Sequence, residues 1–155
     1  MDITTLLEKD HREIEGLFAQ VEAAQHEGGA GKAGICQRIF DALDLHARME
    51  EAIFYPDLEP SFVSGKVEEA YQAHAQAKEL IARLRAMGPN AAEFDELLLE
   101  LRENVEHHVA VEEAELFPAA REALGSELLD RAGNEASELR EQLETRGGSE
   151  LHALM

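Results

Sequence analysis

Apolar residues recur at steps of three and four through most of the sequence, which is the period of a helix that turns one face to a core. Glycine- and proline-rich segments, such as Gly88-Pro89-Asn90, interrupt the pattern. We therefore predict helices over about residues 3–25, 32–55, 65–87, 91–118 and 126–146. Because proline cannot continue the helical hydrogen-bond ladder, we expect the second and fourth helices to stop at Pro56 and Pro118.

A histidine interrupts the apolar face of each of the first four predicted helices, and in two of them a glutamate follows one turn later. These polar residues are His11, His46, Glu50, His74, His108 and Glu112. A single histidine on an apolar face is usually an ordinary core residue. A buried polar group without a partner costs free energy, about 2–7 kcal/mol for one neutral group. Burying several such groups together without partners would cost correspondingly more. We therefore expect a metal ion to compensate all six.

The spacing of these residues indicates an internal repeat. His11 and His46 are separated by almost the same length of chain as His74 and His108, and H-x-x-x-E-E occurs in both the second and the fourth helix. Two helical hairpins of this kind predict an all-α fold, an antiparallel up-down four-helix bundle with an additional C-terminal helix. We expect the bundle to span residues 1–122, the accessory helix 123–146 and a tail 147–155.

The composition argues against several classes of partner. The 155 residues carry a net charge of −19, which disfavours nucleic acid and anionic membrane surfaces. The single cysteine, Cys36, excludes an internal disulfide and suits a reducing compartment. We find no basic leader at the N-terminus and no run of the roughly 18 apolar residues that span a membrane. We therefore expect a cytoplasmic protein, and the sequence leaves its oligomeric state open.

The six polar residues define the kind of metal site. Imidazole and carboxylate groups suit iron, manganese or zinc, and the set lacks the thiolates of a structural zinc site. Carboxylates on facing helices can bridge two cations, so we expect a dinuclear centre that shares Glu50 and Glu112. By the repeat, one metal takes His11 and His46, and the other takes His74 and His108. This arrangement leaves positions for an oxo or hydroxo bridge, water or a small diatomic molecule.

Several neighbouring residues have two interpretations each. Glu51 and Glu113 are either solvated charges or hydrogen-bond partners of the ligating imidazoles, and Glu115 is a further candidate for the second role. Tyr55 is either a packing residue at the helix end or a phenolate ligand of an under-coordinated metal. His107 does not fit the symmetry with the second helix, so we expect it to be a partly exposed neighbour rather than a ligand.

The motifs resemble those of the hemerythrin-like (HHE cation-binding) family of non-haem di-iron four-helix bundles. The resemblance covers about residues 5–120 and rests on His11, H-x-x-x-E-E-x-x-F-Y-P in the second helix, His74, and H-V-x-x-E-E-x-x-L-F-P in the fourth helix. It implies two oxygen-bridged irons held by the histidines, with Glu50 and Glu112 as bridging carboxylates. Manganese or zinc is then less favoured than iron.

The sequence departs from oxygen-carrying hemerythrins at two places. They have a fifth histidine one turn after the histidine of the third helix, where this chain has Lys78. They also use a five-residue His-to-Asp spacing in the fourth helix, where this chain has Glu112 four residues after His108. We expect more open coordination positions, which favour reaction with a bound molecule over its reversible storage. Lys78 itself is either a solvated lysine or a positive charge at the mouth of a cavity.

We therefore expect a hemerythrin-like di-iron protein that reacts with peroxide, dioxygen or nitric oxide, most concretely by catalase-like decomposition of peroxide. No dedicated catalytic acid or base is identified, although Tyr55 and Glu113 are able to shuttle protons. The alternative is a protein that senses or binds oxygen, nitric oxide or iron without turnover. A bundle that is stabilised by zinc or manganese and has no redox role is a third alternative.

Overall fold

The structure is a computed structural model that describes residues 1–26, 28–60 and 63–145. Its elements in chain order are α1 (Ile3–His26), α2 (Lys32–Met49), the π-helical turn π1 (Glu50–Phe54), α3 (Tyr55–Leu58), α4 (Ser64–Met87), α5 (Phe94–Val111), the π-helical turn π2 (Glu112–Leu116) and α6 (Phe117–Thr145). Within these ranges no strand occurs. Since α1 packs along α2 and α4 along α5, the predicted all-α four-helix bundle is confirmed. Of the helices described, none combines the length and the apolar character needed to cross a bilayer.

The helices begin and end at residues with suitable chemistry. The Asp2 carboxylate accepts hydrogen bonds from the backbone N–H groups of Thr4 and Thr5, at 2.8 and 3.1 Å, and so caps α1. Gly31 precedes α2 with φ of 79°, and Gly88 follows α4 with φ of 78°. Both values lie in the left-handed region that favours glycine. The bounds predicted for the first and third helices agree with the structure to within one residue.

The expected stops at Pro56 and Pro118 are wrong, because each proline follows a π-helical turn. In both turns a backbone N–H bonds to the carbonyl five residues back, as Tyr55 does to Glu50. Each proline is then the second residue of the helix that follows, where its missing N–H group is not needed. The chain consequently stays helical to Leu58 after the first turn and continues into α6 after the second.

Two apolar cores fill the bundle, one on each side of a polar layer. Along α1, Leu7 belongs to the first core and Ile14 to the second. Along α4, Ala70 belongs to the first core and Leu80 to the second. The charged and histidine side chains that are buried in the described residues fall between the two cores, and they are Asp10, His11, His46, Glu50 and Glu112. The fold thus places the predicted ligands in one layer across the middle of the bundle.

The C-terminal helix packs on its own bundle. It begins at Phe117 and is broken at Gly125, whose φ of 76° and ψ of 160° are not helical. The start that we predicted at residue 126 is therefore a break inside a longer helix. Beyond the break α6 lies along α1, and it contributes Leu129, Ala132 and Ala136 to the first core. The tail predicted for 147–155, which contains His152, lies outside the described residues.

Candidate metal centre

The six side chains that the sequence predicts as ligands meet in the polar layer. They form two groups that share one carboxylate: His11, His46, Glu50 and Glu112 in the first, and Glu50, His74 and His108 in the second. Within each group the candidate ligand atoms all lie within 4.8 Å of one another. The first group is buried, whereas His74 and His108 are partly exposed. The structure therefore brings together side chains from both hairpins of the repeat.

The inner ring nitrogens of the histidines face each other in pairs. The Nε2 atoms of His11 and His46 are 3.1 Å apart, and those of His74 and His108 are also 3.1 Å apart. A metal–imidazole bond is about 2.1 Å long, so two imidazoles in adjacent positions on one ion have nitrogens about 3 Å apart. The observed separations fit that arrangement.

Two buried glutamates link the histidine pairs. Glu50 Oε1 lies 3.4 Å from His46 Nε2 and 3.0 Å from His74 Nε2, and Glu112 Oε1 lies 3.1 Å from His11 Nε2 and 3.5 Å from His108 Nε2. The second oxygen of Glu50 is buried and has no hydrogen-bond partner in the described part of the chain. An unsatisfied buried acceptor destabilises a fold, and a cation beside this oxygen would satisfy it. The residues present therefore fit a metal cation.

The outer ring nitrogens of three histidines contact carboxylates. His11 Nδ1 lies 2.8 Å from Glu113, His74 Nδ1 lies 2.7 Å from Glu51, and His46 Nδ1 lies 3.1 Å from Asp10. An imidazole that donates through Nδ1 presents a lone pair at Nε2, the form that binds a metal. Of the two interpretations of Glu51 and Glu113, the contacts favour hydrogen bonding to imidazole. Sequence reasoning missed Asp10, because its partner lies on another helix and no local spacing connects the two.

Glu115 lies away from the centre, contrary to the prediction. Its side chain is 47% exposed and its carboxylate is 3.6 Å from the Lys66 ammonium. Regular α-helical spacing would place Glu115 in the seam below Glu112. The π-helical turn over Glu112–Leu116 adds a residue to that turn of the helix and rotates the chain, so that Phe117 is buried instead.

The hydroxyl group of Tyr55 enters the middle of the centre. The side chain is fully buried, and its oxygen donates to Glu112 Oε2 at 2.7 Å and lies 3.1 Å from Glu50 Oε1. The same oxygen is 3.1 Å from His108 Nε2 and 3.3 Å from His74 Nε2. Burial and the two carboxylates raise the pKa of Tyr55, so the metal-free phenol keeps its proton. The Tyr55 ring is therefore packed in the core, and its hydroxyl group is within hydrogen-bond distance of four candidate ligands.

The repeat puts a phenylalanine where the other half has this tyrosine. Tyr55 follows Glu50 by the same number of residues as Phe117 follows Glu112. Each ring stacks on a histidine of the opposite half: Phe117 on His11 with centroids 5.7 Å apart, and Tyr55 on His74 at 5.5 Å. The two halves therefore have the same arrangement of helices, but the first half has a hydroxyl group at this position and the second half has none.

The buried charges of the centre depend on one another. Burial disfavours a charged imidazole at His46, but the charge of Glu50 and the hydrogen bond with Asp10 outweigh it and raise the pKa of His46 to about 10. At His74 burial is likewise outweighed, here by hydrogen bonds with two carboxylates, and the pKa rises to about 9. Protonated imidazoles thus balance the buried carboxylates in the metal-free protein. A metal cation supplies the same positive charge in place of those protons.

A cavity of about 430 Å³ reaches the four histidines from between the helices. Its walls are largely apolar and include Ile14, Phe40, Leu43, Ile81, Val105 and Val109. Lys78 lines the cavity and is exposed, which agrees with a position at its mouth. The cavity has many times the roughly 30 Å³ of one water molecule, so small molecules can enter.

His107 is exposed, as expected, and lines a separate groove between α4 and α5.

Comparison with known proteins agrees with this geometry. The model of the hemerythrin HHE cation binding domain matches residues 2–120, and a second match covers residues 66–145. A protein from Nostoc sp. (strain PCC 7120) named DNA nickase is 27% identical over 150 residues, which are 97% of this chain and 42% of the relative. The chain thus spans less than half the length of that relative. No solved structure matches. By the family match over most of its length, the chain belongs to the hemerythrin HHE cation-binding family.

Proposed function

We propose that the chain holds two iron ions in this centre and decomposes hydrogen peroxide in a catalase-like reaction. The observation that carries the proposal is that the buried Glu50 belongs to both ligand groups, so one carboxylate is within reach of both metal positions. Bound iron supplies a change of oxidation state, which side chains alone do not provide. The family and the buried histidine–glutamate cluster support metal binding, and the choice of iron and of peroxide is our inference.

The ligands divide between the two ions according to the repeat. We assign His11 and His46 to one ion and His74 and His108 to the other, with Glu50 and Glu112 between them. Manganese and zinc accept the same nitrogen and oxygen donors. Because the proposed reaction needs a metal that changes its oxidation state, zinc is unsuitable. Between iron and manganese, the resemblance to di-iron proteins favours iron.

Peroxide, dioxygen and nitric oxide are all small enough for the cavity beside the centre. Peroxide is the most concrete substrate, since two molecules of hydrogen peroxide yield two of water and one of dioxygen without another electron donor. Four imidazoles and two shared carboxylates leave coordination positions free on two ions. All four histidines border the cavity, and His74 and His108 are also partly exposed, so a small molecule can reach the centre through it.

The side chains around the ions would handle protons and set the polarity of the centre. The Tyr55 hydroxyl donates to Glu112 Oε2, with 2.7 Å between the oxygens, and lies 3.3 Å from His74 Nε2, so it would be placed to supply a proton to a substrate beside His74. The apolar walls of the cavity lower the polarity beside the centre, which strengthens the electrostatic interactions inside it. At the mouth, the positive charge of Lys78 attracts anionic oxygen species.

We do not extend to this chain the activity that gives the Nostoc relative its name. The chain spans 42% of that protein, so the activity named for the whole relative is not carried over to this chain. A net charge of −19 also repels phosphate backbones. We therefore propose a small-molecule substrate, with neither nucleic acid nor a membrane as a partner. The buried, unpaired Cys36 suits a reducing, cytoplasmic location.

Two measurements test the proposal. Elemental analysis of protein from cells grown without added metal should find two iron ions per chain, with the optical bands of an oxo-bridged ferric pair. Anaerobically reduced protein should then release dioxygen continuously when excess hydrogen peroxide is added. A single stoichiometric oxidation would instead support the alternative, a sensing or binding protein without turnover. Zinc in the centre, or no metal at all, would overturn the proposal.

A further inference from the structure

The C-terminal helix contacts a candidate metal ligand through one buried carboxylate. Asp10, on α1, is 5% exposed, and its Oδ2 lies 3.1 Å from His46 Nδ1. The Arg140 guanidinium, on α6, donates to the same oxygen. A continuous line of hydrogen bonds therefore runs from α6 through Asp10 to His46, whose other nitrogen faces His11.

Among the residues that the structure describes, the other half of the repeat has no such line of hydrogen bonds. The residue in the position of Asp10 is Ala73, which directly precedes His74 and whose methyl group accepts no hydrogen bond. In addition, α6 follows the second hairpin, whereas the corresponding helix after the first hairpin, α3, ends at Leu58. His46 and His108 are therefore held differently, although they occupy equivalent positions in the repeat.

The contacts of Asp10 affect how well His46 binds a metal. A carboxylate behind a ligating imidazole fixes the orientation of the ring and increases its basicity, and loss of such a partner typically weakens metal binding 10- to 100-fold. A buried carboxylate in turn needs a positive partner. Arg140 provides that partner from α6 with a side chain that is 29% exposed, and its hydrogen bond holds Asp10 directed at His46.

We propose that Arg140 is a positioning residue of the metal centre: through Asp10 it orients His46, so that the His11–His46 position binds its ion more tightly than the His74–His108 position. The inference rests on the two-metal centre proposed above. On this proposal α6 is part of the metal centre, and the two ions differ in how tightly they are bound. One ion is held firmly in the buried half, and the other is held less firmly beside the Tyr55 hydroxyl.

The test is a titration of the metal-free full chain with ferrous ion under anaerobic conditions. We expect Arg140→Ala to weaken one of the two binding steps by about 10- to 100-fold, and Arg140→Lys, which keeps the charge, to recover most of that loss. Arg121→Ala is a matched control, because Arg121 also joins α6 to α1, through Glu8 at 2.6 Å, and contacts no ligand histidine. This control should leave both steps unchanged.

Single-site backgrounds identify the ion that is affected. In a His74→Ala background only the buried position stays complete, and adding Arg140→Ala should weaken the remaining step. In a His11→Ala background the same addition should have no effect. Should Arg140→Ala not fold, Asp10→Asn, which removes the charge and keeps an acceptor oxygen, should weaken the same single step.

Two different failures can be told apart. If folded Arg140→Ala binds both ions as tightly as the wild type, or loses affinity equally at both steps, the positioning role of Arg140 is overturned while the two-metal centre stands. If the wild-type chain itself binds fewer than two ferrous ions, the proposed function fails, whatever the variants do.

Discussion

At the scale of single residues, the two nitrogens of three candidate ligands, His11, His46 and His74, have different partners. In His11, Nδ1 contacts Glu113 on the outside of the centre, while Nε2 faces His46 and Glu112 on the inside. The outward hydrogen bond fixes the ring and leaves the inner lone pair free for a cation. Each of these three ligands is therefore held by an outer contact of its own, and the loss of one should not displace the others.

The substitution His46→Ala tests this arrangement most directly. It removes a ligand and takes one partner from each of two buried carboxylates: Asp10 keeps Arg140, and Glu50 keeps His74. Leaving a buried charge entirely unpaired costs about 3–5 kcal/mol, so we expect the metal content to fall and the free energy of unfolding to fall by less than that amount. His26→Ala, at the exposed end of α1, is the control and should change neither. Equal metal content in the two variants, measured by elemental analysis, would contradict the ligand assignment.

A second residue-scale prediction concerns the hydroxyl group of Tyr55. Tyr55→Phe keeps the ring that stacks on His74 and makes this half of the centre resemble the Phe117 half. We expect the variant to retain its metal but to release dioxygen from peroxide at least 10²-fold more slowly, the lower end of the usual effect of losing a proton donor. Tyr71→Phe is the control, because that hydroxyl contacts Glu59 instead. Unchanged turnover in Tyr55→Phe would remove the proton-transfer role.

At the scale of helices, the close approach of α6 to the start of α1 depends on one glycine. A Cβ atom at Gly133 would lie 2.0 Å from the Met1 carbonyl oxygen. Alanine in a helix interior normally stabilises by about 1 kcal/mol relative to glycine, but here the two helices would have to separate. We expect Gly133→Ala to lower the free energy of unfolding, measured by denaturant titration.

The control for this prediction is another helical glycine. Gly16 lies in α1 with nothing within 4 Å of an added Cβ. Gly16→Ala should therefore raise the free energy of unfolding by about 1 kcal/mol, through helix propensity alone. If both variants were stabilised to the same degree, α6 would not be packed against the N-terminus of α1 as described.

At the scale of the whole molecule, the repeat made the fold and the six candidate ligands predictable. Each ligand interrupts a regular apolar stripe, and helical spacing is a local property of the sequence. The π-helical turns were not predictable in this way, since one extra residue per turn hardly changes the apolar pattern. For that reason the stop at Pro56 was wrong and Glu115 was misplaced. The contact between Asp10 and Arg140 joins residues 130 positions apart, beyond any local pattern.

The same architecture indicates how the whole molecule should respond to loss of its metal. The polar layer separates two apolar cores, and neither core contains any of the six candidate ligands. Protons on the imidazoles can balance Glu50 and Glu112 when no cation is present. We therefore expect chelation to leave the helical circular dichroism spectrum almost unchanged, because neither the cores nor the hairpins depend on the metal to form.

Thermal stability should nevertheless fall on chelation. A ligand that binds only the folded state adds about 4 kcal/mol when its free concentration is 1,000 times its dissociation constant. For a chain of 155 residues this corresponds to a midpoint shift on the order of 10 °C. Added ferrous ion should restore the midpoint in the wild type, whereas His46→Ala should respond much less. An identical midpoint with and without metal would mean that the polar layer is stable by itself, and that the cation contributes nothing to the fold.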